Sequence, residues 1–319
     1  MKIKQAPFLR RPKSSQNIML DMVIALTFIT IVATFYFGIR VPIQVAVGVV
    51  SAVLFEYTYQ KLTDQEVTIS DLSATVTGFL VGLSYASTAP LWIIVLGSFI
   101  AIVFIKQLPG GLGRNQINPA VFSRVFIKII LTPLMTNWVA PGPDAVSTAT
   151  PLPFLGDGAV RVIDRLPELQ DAFMGFGLGG NVGETATWAI LVAALYLAFR
   201  KVIHLEIPIA ASLGLFLFAM LASGSDVYFS LYHVVTGTFM FAAVFMVTDY
   251  SSGPLNTKAR IYYAFAIGFV TGLIRHTFAF PGGVGIAIIL LNIIAPYFDS
   301  RNHPRVFGHK NNRNYMESR

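Results

Sequence analysis

Apolar runs of about twenty residues recur along this chain, and each is long enough to cross a bilayer as a helix. Ten such runs are assigned, at 18–37, 42–60, 72–88, 90–107, 118–136, 185–200, 205–223, 229–247, 258–275 and 283–298. Only 12% of the residues are charged, whereas an ordinary soluble domain has about 25%. The sequence therefore predicts an all-α polytopic protein whose outer surface contacts the lipid bilayer.

Basic residues are distributed unevenly over the segments that connect these runs. Ten spans put both termini on one side, and the arm 1–17, the tail 299–319 and the loops and run ends of that side hold 17 of the 23 Lys and Arg residues. The opposite side holds four, and the last two lie inside the fifth run. Because basic loops stay in the cytoplasm, we expect cytoplasmic termini and an outer-face loop at 137–184. Topology thus explains the net charge of +7, and no nucleic-acid partner is expected.

Two short motifs occur at matching places in the two halves of the chain. They are Val76-Thr-Gly78 and Val235-Thr-Gly237 in the third and eighth runs, and Pro109-Gly-Gly-Leu-Gly113 and Pro281-Gly-Gly-Val-Gly285 before the fifth and tenth. Five spans in each half is an odd number, so the second half would be inverted in the membrane. The pattern predicts two inverted five-helix repeats, at 18–136 and 185–298.

The outer loop displays a cluster of hydroxyl groups between small residues. Asp144 is followed by Ser147, Thr148 and Thr150, and Pro151 stiffens the chain after them. A loop of this length is either functional or disordered. Composition alone favours a Ser/Thr-rich surface turn.

A glycine-rich turn precedes the fifth run on the predicted cytoplasmic side. It contains Arg114, Asn115 and Asn118. Backbone amides at a helix start, next to an arginine, can hold an anionic or hydrogen-bonding ligand. The alternative is a tight re-entrant connection that the two asparagines stabilise.

Arg124 and Lys128 lie within the fifth run, four residues apart and therefore on one helix face. A charge inside the bilayer is costly, so both side chains should face protein or water. We expect an ion pair with Glu56, which lies in the second run. The alternative is contact with a bound ligand.

Several kinds of chemistry are excluded by composition. The chain has no cysteine, which rules out disulfides, thiol catalysis and cysteine-ligated iron–sulfur clusters. Its five histidines are scattered, and no metal site is expected. No Gly-x-Gly-x-x-Gly dinucleotide fingerprint is present either.

Four segments resemble, in order, the D subunits of Rnf electron-transport complexes, a family that includes the B subunit of the sodium-pumping NADH:quinone oxidoreductase. They are Gly110-Gly-Leu-Gly-Arg-Asn-Gln-Ile-Asn-Pro-Ala120, Asp144-Ala-Val-Ser-Thr-Ala-Thr150, Thr248-Asp-Tyr-Ser-Ser-Gly-Pro254 and the stretch from Phe280 to Pro296. The similarity covers nearly the whole chain. One departure is Thr148, which stands where the family commonly has glycine.

The resemblance implies a covalent flavin. In the family, the threonine that matches Thr150 carries FMN through a phosphoester bond that a separate flavin transferase forms on the outer face. Residues around it serve attachment or contact the ring: Asp144, Ser147, Thr148, Ala149 and Trp138. For Trp138, anchoring at the lipid interface is the alternative.

The resemblance also allows a second, non-covalent flavin such as riboflavin. Its candidate contacts are Arg114, Asn115, Asn118, Arg124 and Lys128. It implies further that the fold is like that of urea and ammonium channels.

The function that the resemblance implies is electron transfer within a ferredoxin:NAD oxidoreductase complex coupled to Na⁺ or H⁺ translocation. The chain would be one component of this translocase in a prokaryotic cell membrane and not a complete catalyst. Expected partners are a second FMN-bearing subunit, other membrane subunits and iron–sulfur subunits. The competing hypothesis is a small-solute channel or transporter without a redox role, which the inverted repeat also suits.

Overall fold

A computed structural model of the chain describes residues 15–135, 138, 168–176, 179–224, 226–278 and 282–301. Within these residues the secondary structure is helical and contains no strand. The helices are α1 (Ser15–Phe37), α2 (Arg40–Leu62), α3 (Ser73–Leu83), α4 (Leu91–Phe99), α5 (Pro119–Ile130), α6 (Thr132–Met135), α7 (Leu169–Met174), α8 (Thr187–Phe199), α9 (Glu206–Ala222), α10 (Val227–Val235), α11 (Phe239–Phe245), α12 (Thr257–Phe278) and α13 (Gly283–Arg301). A 3₁₀ turn precedes α3 at Ile69–Asp71, and α4 continues as a π-helix over Ile100–Gln107.

A helix, or a bent pair of helices, lies at each of the ten predicted positions. In the described part of the chain, α1, α2 and α13 are long and apolar enough to cross a membrane by themselves. The pair α10 and α11, bent by 57°, passes the same criterion together, which brings the number to four. Several of the other helices are shorter than a membrane span, because the helix ends before the apolar run does. The number of ten spans stays a prediction.

Contacts divide the helix ends into two sets. At one end of the bundle, Tyr36 donates a hydrogen bond to the carbonyl of Met174 at 2.8 Å, and Arg40 donates to the carbonyl of Ala89 at 3.1 Å. At the other end, Nζ of Lys106 contacts the carboxylate of Glu56. The two sets group the helix ends in the same way as the predicted topology does. The side of the membrane that each set faces stays a prediction.

The third helix of each half is interrupted. After α3 ends, the segment 179–186 packs against it, with amide-to-carbonyl hydrogen bonds from Val182 to Tyr85 at 3.1 Å and from Gly183 to Leu83 at 3.0 Å. In the second half, the chain turns between α10 and α11 at Gly237, whose φ of 72° suits glycine. Backbone groups freed at such breaks must find partners inside the protein when no water is near.

Small residues allow a close contact between α9 and α12. A Cβ atom on Gly268 would lie 1.9 Å from the carbonyl oxygen of Ala211, far inside van der Waals distance. Such close backbone approach is the usual way that helices pack in a bilayer.

Candidate functional site

Asn118 begins α5 and connects it to the other half of the chain. Its Oδ1 accepts hydrogen bonds from the amides of Ala120 and Val121 at 3.1 and 3.2 Å, which is an N-cap followed by proline at the first helical position. Its Nδ2 donates to the carbonyl of Met246 and to Oδ2 of Asp249, both at 3.3 Å. One buried asparagine therefore caps a helix and binds the loop that follows α11.

Asp249 is held in place by that loop. Its carboxylate accepts hydrogen bonds from the amide of Ser251 at 3.1 Å and from the hydroxyl of Ser252 at 2.9 Å. The Ser251 hydroxyl donates to Oδ1 of Asn115 at 2.6 Å. Burial raises the pKa of Asp249, and the hydrogen bonds from Ser251, Ser252 and Asn118 partly oppose this rise.

Three neighbouring cavities share Asp249 and Tyr250 in their walls, with volumes of ≈ 80, ≈ 190 and ≈ 680 Å³. The first is also lined by Asn115 and Asn118, and the third opens between α1, the glycine-rich turn and α13. The volume of the third falls in the range of about 300–1,000 Å³ that is typical of small-molecule sites. We call the group of cavities the Asp249 site.

Arg114 does not join Asn115 and Asn118. Its side chain is exposed, and its aliphatic part covers Gly110, where a Cβ atom would lie 2.7 Å from Cδ of the arginine. The first amides of α5 are already capped by Asn118. The described geometry therefore fits the re-entrant connection more closely than an anion held by Arg114 and the helix start.

The predicted ion pair between Glu56 and the fifth run is wrong. Glu56 contacts Nζ of Lys106 at 2.8 Å and accepts a hydrogen bond from Gln107 at 2.6 Å, and Lys106 also donates to Ser73 at 2.6 Å. The topology prediction counts Lys106, at the end of the fourth run, among the basic residues of the cytoplasmic side, yet it is only 2% exposed. The π-helix that contains Lys106 and Gln107 is a kind of segment that occurs frequently at functional sites.

Arg124 instead pairs with a residue from the end of the outer loop. Its Nη2 lies 3.2 Å from Oε2 of Glu184 and donates to Oγ1 of Thr238 at 2.6 Å. The other oxygen of Glu184 accepts from the amide and the side chain of Asn181 at 3.1 and 2.9 Å. The pair therefore lies beside both helix interruptions, since Thr238 precedes α11 and Glu184 belongs to the segment that packs on α3.

Lys128 and Arg275 extend this group toward the helix ends. Lys128 is near enough to Arg124, Glu184 and Arg275 to interact electrostatically. Arg275 donates from Nη1 to the carbonyl of His233 at 2.7 Å and is only 3% exposed. We call Arg124, Lys128, Arg275 and Glu184 the outer cluster. In the described part of the chain, it contains three cations and one carboxylate.

The remaining predicted site residues are those of the attachment motif and Trp138. Asp144, Ser147, Thr148, Ala149 and Thr150 lie outside the described residues. Trp138 is described and half-buried, and its Nε1 has no hydrogen-bond partner among the described residues. No group of three or more His, Cys, Asp or Glu side chains that could hold a metal ion occurs in the part that the structure describes.

Sequence reasoning missed the roles of Lys106, Glu184 and Arg275. Lys106 and Arg275 lie at the ends of predicted runs and were counted only for topology, and Glu184 was assigned to the outer loop. Their partners are 50, 60 and 42 residues away along the chain. The one available signal was the density of charge at the ends of apolar runs, which membrane topology also explains.

Interrupted helices that bury charged and polar side chains define the class of this protein: a helical membrane protein with polar sites between its helices. The chain belongs to the NQR2, RnfD, RnfE family, whose model matches residues 2–308.

Three relatives are similar to the chain over nearly their whole length. The D subunit of a Na⁺-translocating ferredoxin:NAD⁺ oxidoreductase complex from Acetobacterium woodii is 37% identical, over 96% of this chain and 95% of that protein. The D subunit of a proton-translocating ferredoxin:NAD⁺ oxidoreductase complex from Clostridium ljungdahlii is 33% identical, over 96% of each. The D subunit of an ion-translocating oxidoreductase complex from Yersinia enterocolitica is 32% identical, over 97% of this chain and 99% of that protein.

Proposed function

We propose that this chain is the D-type subunit of an ion-translocating ferredoxin:NAD oxidoreductase complex and transfers electrons within it. The observation that carries the proposal is the similarity to named D subunits over at least 95% of both chains. The chain has no cysteine for an iron–sulfur cluster. The proposal therefore assigns ferredoxin and NAD chemistry to partner subunits, including iron–sulfur subunits, other membrane subunits and a second FMN-bearing subunit.

The named ions of two relatives differ, one being Na⁺ and the other a proton. Ion translocation is thus the shared property on which the proposal rests. Electron transfer by the purified complex in vesicles, with and without Na⁺, separates the two ions. Stimulation by Na⁺ supports sodium coupling, and equal rates with collapse of the gradient by a protonophore support proton coupling.

The proposed cofactor is FMN, linked to Thr150 through its phosphate by a flavin transferase. The motif from Asp144 to Thr150 supports it by family resemblance. The outer cluster lies close in sequence to both ends of this loop, and Nε and Nη2 of its Arg275 have no hydrogen-bond partner among the described residues. Buried donors without partners fit a ring that is rich in acceptors. Bound FMN would supply the electron-transfer chemistry, and the protein would position it.

In-gel flavin fluorescence tests the attachment site. The chain is produced together with a flavin transferase and separated on a denaturing gel, which retains only covalent flavin. We expect a fluorescent band that disappears in Thr150→Val and persists in the matched variant Thr148→Val. A parent protein without fluorescence despite active transferase would contradict the redox function and favour the channel hypothesis.

We extend the proposal to a second, non-covalent flavin such as riboflavin at the Asp249 site. The cavity of ≈ 680 Å³ has apolar walls from Leu112, Ala295 and Pro296 and polar groups from Asp249 and Ser251. This combination of apolar walls with a few polar groups is typical of cofactor pockets. We expect flavin to be released from the native complex by acid precipitation, and Ala295→Trp, which narrows the cavity, to abolish its release while covalent FMN is retained.

The membrane arrangement that accompanies this function is ten spans in two inverted repeats, with the outer loop on the external face. Helix contacts support the repeat: α1 packs on α3 as α8 packs on α11, and α2 packs on α4 as α9 packs on α12. An inverted arrangement would place the cytoplasmic Asp249 site and the outer cluster toward opposite faces. The protein would then hold its cofactors at two depths of a prokaryotic cell membrane.

A further inference from the structure

We propose that Asn292 recognises the pyrimidine edge of the ligand in the ≈ 680 Å³ cavity of the Asp249 site, by donating a hydrogen bond from Nδ2 to a ring carbonyl. This inference rests on the proposed function, since it concerns the non-covalent flavin that the function assigns to that cavity. It adds a residue of α13 to a site that was predicted from the glycine-rich turn and α5.

The first observation is a buried amide group without a partner. Asn292 is only 1% exposed, and its Nδ2 has no hydrogen-bond partner among the described residues. A buried polar group of this kind is uncommon, because the loss of its hydration is not compensated. Asn292 also lines the ≈ 680 Å³ cavity, so a ligand of that cavity can supply the missing acceptor.

The second observation is the hydrogen bond that orients this amide group. The hydroxyl of Tyr263, which lies on α12 and is itself buried, donates to Oδ1 of Asn292. Because the oxygen is bound to α12, Nδ2 is left for a different partner. The torsion that turns a carboxamide is soft, so a small turn brings Nδ2 to an acceptor at the cavity wall without movement of α13. Tyr263 is therefore a positioning residue for Asn292.

The third observation is a backbone carbonyl that lacks its helical donor. Pro296 lies inside α13 and has no N–H. The carbonyl of Asn292, four residues before it, therefore lacks the hydrogen bond that a regular helix would provide. Asn292 thus offers a donor and an acceptor on the turn of α13 that lines the cavity together with Ala295 and Pro296.

This pair of groups selects a chemical class of ligand. A ring carbonyl next to a ring N–H, as in the pyrimidine part of a flavin, offers the complementary acceptor and donor. A quinone has carbonyls but no ring N–H, and a lipid chain has neither. Apolar walls from Ile18, Met19 and Leu112 suit the faces of a planar ring. The geometry therefore favours a flavin whose pyrimidine edge lies on α13.

The test is equilibrium binding of riboflavin to the complex after its non-covalent flavin has been removed, followed by the quenching of riboflavin fluorescence. We expect Asn292→Leu to raise Kd about tenfold or more, because the donor is lost at nearly constant volume. Asn292→Asp, which keeps the shape and replaces the donor with an acceptor, should do the same. Tyr263→Phe should raise Kd by a smaller factor and should add little to the effect of Asn292→Leu in the double variant.

Gln44→Leu is the matched control. It removes a carboxamide from α2 that is similarly buried and also has an atom without a hydrogen-bond partner among the described residues. Gln44 lies outside the walls of the three cavities that form the Asp249 site. The Kd for riboflavin should therefore be unchanged in this variant.

A second measurement separates direct contact from a general effect on the fold. In 2-thioriboflavin and 4-thioriboflavin, sulfur, a weak acceptor, replaces one of the two ring carbonyl oxygens. The parent complex should bind one of these analogues about tenfold more weakly than riboflavin, and Asn292→Leu should lose that preference. If Asn292 only supported the fold, its removal would weaken the binding of all three ligands equally and keep the preference.

Unchanged Kd in Asn292→Leu and Asn292→Asp, or a preference for riboflavin that persists in them, would overturn this inference and leave the second flavin in place. Equal binding of riboflavin and both thio analogues by the parent would do so too. An equal loss of affinity in Gln44→Leu would also overturn it and attribute the effect to packing. A parent complex that neither releases flavin nor binds riboflavin would instead contradict the proposed function of the Asp249 site.

Discussion

Asn118 and Asp249 are 131 residues apart in the chain and are joined by a hydrogen bond from Nδ2 to Oδ2 at 3.3 Å. The bond ties the start of α5 in the first half to the loop after α11 in the second half. Since Asn118 also caps α5, helix initiation and the contact between the halves depend on one side chain.

The double role of Asn118 predicts a large effect of its removal. Asn118→Ala should lower the free energy of unfolding by about 1 kcal/mol for the cap and by about 1–2 kcal/mol more for the lost buried hydrogen bonds. Thermal unfolding in detergent measures the change. Asp226→Ala is the matched control, since the Asp226 carboxylate caps α10 by accepting one hydrogen bond from the amide of Phe229 at 3.1 Å. Equal losses from the two variants would argue against the bridging role of Asn118.

Ion-pair partners can be tested by double-mutant cycles. Glu56→Gln and Lys106→Met should be strongly non-additive, because each leaves the other side chain buried without its partner, at a cost of about 3–5 kcal/mol. The pair Glu56→Gln and Arg124→Met should be additive within about 0.5 kcal/mol. Unfolding by denaturant in detergent gives both coupling energies. Strong coupling between Glu56 and Arg124 would support the ion pair that the sequence predicted.

Asp249 predicts a dependence of stability on pH. Its pKa is raised above the ordinary value of 3.8 by burial, so the folded state binds its proton more tightly than the unfolded chain does. The contribution of protonated Asp249 to the free energy of unfolding is complete below the pKa that it has in the unfolded chain. That contribution is lost as pH rises through the pKa that it has in the folded protein. The Tm of Asp249→Asn should therefore rise relative to the Tm of the parent as pH rises from about 4. Asp171→Asn, at an exposed carboxylate, controls for the loss of one charge, and parallel Tm curves for parent and Asp249→Asn would refute the assignment.

Close packing of α9 on α12 predicts that Gly268→Ala is severely destabilising. The added Cβ would lie 1.9 Å from the carbonyl oxygen of Ala211, so the helices must separate. Gly180→Ala is the matched control, because its Cβ would have an ordinary nearest contact of 3.6 Å. We expect Gly268→Ala to lower Tm by several degrees or to prevent accumulation in the membrane, and Gly180→Ala to do neither. Normal Tm for Gly268→Ala would show that the two helices are less tightly packed.

Topology is testable without the cofactor. A reporter that is active only outside the cytoplasm should be active when fused after residue 160 and inactive when fused after residue 255. These positions follow from the 17-to-4 distribution of basic residues. Activity after residue 255 together with silence after residue 160 would invert the whole chain and make external flavin attachment impossible.

Much of the architecture could be predicted from the sequence because apolar run length and loop charge are local quantities. A helix or bent pair stands at every predicted position, and the family assignment from four short segments is confirmed. The third run, which contains Val76-Thr-Gly78, forms α3, a helix of only 11 residues. The attachment motif around Thr150 stays a prediction, since it lies outside the described residues.

By itself, then, the sequence determined that the chain is a helical membrane protein of this family and located ten helical segments, though not the short helix α7 in the outer loop. Only the tertiary structure decided which buried charges meet: Glu56 with Lys106, and Arg124 with Glu184. Helical periodicity places a side chain on a face of its own helix and says nothing about the helix that faces it. Partners across 50 or 60 residues are selected by how interrupted helices pack, because a buried charge must find whichever opposite charge the assembled bundle brings within reach.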